Sequence, residues 1–141
     1  MNRRGFLAVA GMAGMASTLP VAATTRLAGQ QVLHAWYDLT LELVRHTATY
    51  TPPVASRAFA YFGLVAYEAV ASGSDKIKSL AGQLPELANI PGRQGNARYD
   101  EAVVLHAALS AAVNSLFKNT APTVQRAVKA LSSKLSAALT Q

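Results

Sequence analysis

The chain has 141 residues, enough for one domain with a true core but too few for two. It contains no cysteine, which excludes disulfide frameworks, thiol nucleophiles and cysteine-held zinc. Its formal charge is +6, but the basic residues are scattered rather than gathered on one face among aromatic readers, which argues against a nucleic-acid partner.

Residues 1–23 have the three parts of an export signal. Arg3 and Arg4 lead, an apolar stretch runs from Phe6 to Leu19, and Val21 and Ala23 supply small residues before a cleavage point after Ala23. The run Asn2, Arg3, Arg4, Gly5, Phe6, Leu7 resembles the twin-arginine (Tat) signal, with Ala8 where that pattern often has lysine. The resemblance implies passage through the Tat translocon as a folded protein and a periplasmic or secreted destination. Gly11, Gly14, Ser17 and Pro20 make the stretch a poor permanent anchor, so no stable membrane span is expected after cleavage. Removing Arg3 and Arg4 from the 13 basic residues leaves 11 against 7 acidic ones in the remaining domain, 24–141.

From Gln31 to about Thr47 the pattern is helical. His34, Asp38, Glu42 and Arg45 form one polar stripe at about 100° per residue. Val32, Trp36, Leu39 and Leu43 lie on one flank and Leu33, Tyr37, Leu41 and Val44 on the other, so this helix is expected to pack on both sides. Pro52 and Pro53 break the pattern and open a second helix to about Ser72. The short link predicts an antiparallel hairpin. In that second helix the charges are Arg57 and Glu68, about 16 Å apart along the axis. The hairpin register puts Arg57 beside Glu42 and Glu68 beside His34, and these four are read as structural charges pairing across the hairpin.

Ser72 to Asp75 reads as a turn, Lys76 to Leu84 as a short helix, and Pro85 to Asn96 as a long loop, functional or an ordered cover. Gly92, Arg93 and Gly95 do not make a phosphate loop, since no strand precedes them and no Gly-Lys-Ser/Thr follows. Tyr99 to Phe117 predicts a core helix, Ala-rich, begun by Asp100 and Glu101. His106 in it has no companion at metal-ligand spacing and reads as a satisfied core histidine. Thr120 as cap and Pro122 in the first turn open a fourth, amphipathic helix to about Leu139, with Val124, Val128, Leu131 and Leu135 on its apolar stripe. The pattern stops at Gln141 without a glycine cap and reads as interrupted. The fold class is therefore all-α, a bundle of about four long helices. No HExxH pair or GxSxG elbow occurs, so metal-hydrolase and serine-triad chemistry have no support.

Trp36 in the first helix, Pro52-Pro53, Arg57-Ala58 with Ala60, the run Ala66 to Val70, the run Ser79 to Leu84, and Leu116-Phe117 together resemble one family. It is the N-terminal helical region of bacterial vanadium-dependent haloperoxidase-like proteins, relatives of the type 2 phosphatidic acid phosphatases. The likeness covers roughly 31–135, and Glu68 stands where that family commonly has aspartate. The family holds vanadate or a phosphoryl group with a Lys followed by Arg-Pro, a Pro-Ser-Gly-His segment, and a Ser-Arg followed by His. Cations there neutralise the oxyanion while a histidine bonds or attacks. None of these segments occurs here, so no catalytic, cofactor-binding or metal-binding residue is assigned, and vanadate is implied only for full-length members. The resemblance implies an exported scaffold portion, inactive alone, whose partner is a C-terminal catalytic half or a further copy of itself. The alternative is a free-standing periplasmic helical interaction module, binding through the exposed face of the third and fourth helices.

Overall fold

The computed structural model describes residues 27–87 and 90–140. The export-signal reading, with Arg3, Arg4 and Ala23, lies outside them. Within them are four long helices, α1 (Gly29–His46), α2 (Pro52–Ala71), α3 (Glu101–Leu116) and α4 (Pro122–Leu139), and a single 3-10 turn at Pro85–Leu87. The all-α expectation and the four-helix count both hold.

Local chemistry sets the helix ends. The Gln31 side chain accepts from the backbone N–H of Ala28 at the start of α1. Pro52 and Pro122 occupy first-turn positions, where a missing N–H costs no hydrogen bond. The Asp100 carboxylate accepts from the N–H groups of Ala102 and Val103, capping α3. Thr120 does not cap α4, because its hydroxyl donates to Phe117 O and helps close α3 instead; Ala121 takes the cap position. The expected helix over 76–84 is absent. Ser74 Oγ accepts from the N–H groups of Lys76 and Ile77, Glu68 takes that of Leu80, and Gly82 turns the chain at φ 77°. Side chains that capture backbone donors in this way compete with a helix.

The core centres on α3, which packs against each of the other three helices. Leu109, Val113 and Phe117 are fully buried along it, together with Val32 and Trp36 from α1 and Val128 from α4. Each such side chain contributes on the order of 1.5–3 kcal/mol by leaving water. Tyr50 stacks on Phe117 with ring centroids 4.7 Å apart and donates to Leu116 O at 2.7 Å. Gly29 approaches Leu105 and Trp36 approaches His106, so α1 runs parallel to α3. Ser132 meets Ser110 and Ser136 meets His106, so α4 runs antiparallel to it.

This arrangement corrects the hairpin. Tyr37 does meet Phe59 and Phe62, with centroids 5.8 and 6.0 Å away, which is the expected register. Beyond that contact α1 and α2 both turn their buried faces to α3 rather than to each other. The two cross-helix ion pairs are therefore not formed. Glu42 binds Arg45 (3.0 Å) and His46 (3.3 Å) on its own helix, and Arg57 and His34 are exposed.

Candidate functional site

Three arrangements on this frame place polar or open surface where chemistry or binding could occur. The first joins α1, α3 and α4. Trp36 Nε1 donates to His106 Nδ1 at 3.1 Å, and His106 Nε2 lies 2.9 Å from Ser136 Oγ. A histidine beside a serine invites comparison with a nucleophile and its base. The tautomer rules that out. An indole N–H only donates, so Nδ1 must be the bare nitrogen and Nε2 must carry the proton. Nε2 then donates to Ser136 and cannot take its proton, whereas a serine nucleophile needs the reverse. Burial pushes the His106 pKa below the usual histidine value, which favours this neutral form. The trio is a structural tie, in keeping with the reading of His106 as a satisfied core histidine.

The second arrangement fastens the long connection between α2 and α3. Glu68 is half-buried, and its two oxygens accept from Ser79 Oγ and Leu80 N, both at 2.7 Å. Arg93 clamps the far end. It binds Glu101 through two bonds of 2.6 and 2.7 Å, donates to Ser72 Oγ and Ala69 O, and lies 5.2 Å from the Tyr99 ring centre. The bidentate bond to Arg93 holds the Glu101 carboxyl below the usual range and raises the guanidinium in turn. Around Arg93 the loop is thus an ordered cover, as the sequence allowed, although the clamp that Arg93 makes was not expected there.

The third is an apolar groove between α2 and α3, lipped by Leu84, Pro85, Leu87, Ile90 and Pro91. One part, about 520 Å³, is bounded by Tyr61, Leu64, Leu84, Pro85, Ala112 and Leu116. The adjoining part, about 320 Å³, shares Leu64, Val65 and Leu87 and continues past Glu68 and Ala69 to Val104 and Ala108. Val104 and Ala108 lie about 160–200° round α3 from His106, so the groove opens on the side of α3 opposite α4. The groove thus lies on the α2/α3 face, apart from the α3/α4 face expected from sequence. Tyr61 is 52% exposed and Leu84 44%, a cost that isolated domains normally avoid over contiguous area.

Of the residues read as structural charges, Glu68 alone borders this groove; Arg57, Glu42 and His34 are exposed elsewhere and do not come together. Among the described residues no three of His, Cys, Asp and Glu gather as metal ligands, and no helix is long and apolar enough to cross a membrane. No family model, curated protein or solved structure matches the chain.

Proposed function

We propose that the chain is a helical scaffold that receives another polypeptide on its α2/α3 face and performs no reaction by itself. The groove carries this reading: roughly 840 Å³ in its two parts together, walled almost wholly by apolar side chains, on a domain of four helices. Among the described residues its wall offers one carboxylate, Glu68, and two serine hydroxyls, Ser72 and Ser115, and no paired acid and base, so it suits a packing partner better than a reacting substrate. The resemblance to vanadium-dependent haloperoxidase-like and phosphatidic acid phosphatase proteins makes the partner a C-terminal catalytic half that brings the oxyanion-binding segments. The twin-arginine signal makes the setting periplasmic or secreted.

The test is reconstitution. The C-terminal helical half of a haloperoxidase-like protein, added in trans, should co-elute with this chain, and halide oxidation with vanadate should require both. Vanadate-dependent oxidation by this chain alone would overturn the scaffold reading. Replacing Arg3 and Arg4 by lysine should hold the precursor inside the cell. A free-standing module would use the same groove for an unrelated polypeptide, and would bind in the periplasm while ignoring the catalytic half.

A further inference from the structure

The scaffold reading leaves open what kind of segment the groove accepts. From Tyr61 to Ser72 along α2 the groove runs 11 residues, about 16 Å, and from Val104 to Leu116 along α3 it runs 12 residues, about 18 Å. That is the length of three helical turns, at about 5.4 Å each. Its floor includes Ala69, Ala108 and Ala112, small side chains that let a helix approach closely. Each wall is itself an α-helix, so apolar anchors at i, i+4, i+7 and i+11 of an occupant would lie along the channel.

The charge pattern narrows the occupant further. Among the described residues Glu68 is the one charged side chain on the walls, toward the end near the C-terminus of α2. Both its oxygens accept from neutral donors, a hydroxyl and a backbone N–H, and no described cation lies within ion-pair distance of it. A carboxylate has about four acceptor positions, so two remain for a further donor. Arg93, near the same end, is committed to Glu101. A half-buried carboxylate bordered by apolar surface gains most from a cation that arrives with its own apolar stem.

We infer that the groove takes one face of an amphipathic helix, about three turns long, whose Lys or Arg meets Glu68. The inference rests on the scaffold reading and specifies its partner.

The probe is a pair of hydrocarbon-stapled 14-residue peptides, held helical because free peptides of that length are not. Both carry leucines on one face; one has Lys and the other Glu at the end aligned with Glu68. Fluorescence anisotropy with the full chain should show the Lys peptide binding about tenfold more tightly than the Glu peptide. Glu68→Gln should erase that ratio while circular dichroism shows the fold intact, and Leu84→Asp on the lip should weaken both peptides. Equal binding of the two peptides would overturn the charge rule and leave the scaffold reading standing. No binding of either, with dodecanol binding in the same groove, would overturn both. Sedimentation as a dimer that Leu84→Asp dissociates would assign the groove to a second copy of the chain and overturn the inference.

Discussion

The indole N–H of Trp36 and the imidazole Nδ1 of His106 face each other over 3.1 Å, linking α1 to α3 with both side chains buried. Seventy residues separate them in the chain. Trp36→Phe keeps most of the ring and removes the donor, leaving Nδ1 without a partner. The expected loss is about 1–3 kcal/mol in urea denaturation, and His106→Leu made in the same background should then cost less than it does alone.

The same contact makes stability depend on pH. His106 has a folded pKa below the usual 6.5, so between those two values the unfolded chain binds more protons than the folded one. Stability is fully present above about pH 6.5 and falls as pH drops through the lowered folded value. Protonated His106 would also present an N–H to the Trp36 N–H. The histidines His34 and His46 are exposed and stay in place in His106→Leu. Urea midpoints between pH 7.5 and pH 5 should therefore decline in the wild-type chain and flatten in that variant.

Gly73 lies under the Arg93 guanidinium, where an added Cβ would stand 2.5 Å from its carbon and nitrogens. The guanidinium is the free end of a flexible side chain and can swing away. Gly73→Ala should therefore release the clamp on Glu101 and Ser72 without unfolding the helices. Limited proteolysis should cut the 90–99 segment several-fold faster, with the thermal midpoint changed little because a pair whose carboxylate is 59% exposed contributes about 1 kcal/mol.

Thr47, at the end of α1, has a buried hydroxyl with no hydrogen-bond partner among the described residues. Valine has nearly the same shape without the oxygen. Thr47→Val should stabilise the domain by about 0.5–1 kcal/mol, seen as a higher urea midpoint at unchanged slope.

The helices were legible in the sequence because their determinants are local. The spacing of Val32, Trp36 and Leu43 is a helical stripe, Pro52 and Pro122 mark first turns, and Asp100 marks a cap. What was not legible is which helix lies in the middle. A short link sets the direction of α2 relative to α1, but α2 is apolar nearly all round, burying Ala58 and Phe62 while exposing Tyr61 and Val70. Such a helix announces no preferred face. The misplacement of Glu68 has the same root. Its donors sit only 11 and 12 residues onward, at Ser79 and Leu80, but in a stretch read as helix rather than as a turn with a free N–H. The groove was out of reach because it is a property of two helices and a loop together.

The central position of α3 also bears on when the chain can fold. α3 ends 70 residues after α1 ends, and neither α1 nor α2 can bury its apolar face without it. At about 5–20 residues per second, a ribosome takes about 4–14 s to synthesise that interval. For those seconds the faces carrying Trp36 and Phe62 have nowhere to pack, so nascent chains that meet a chaperone should do so before Leu116 emerges and lose it soon afterwards.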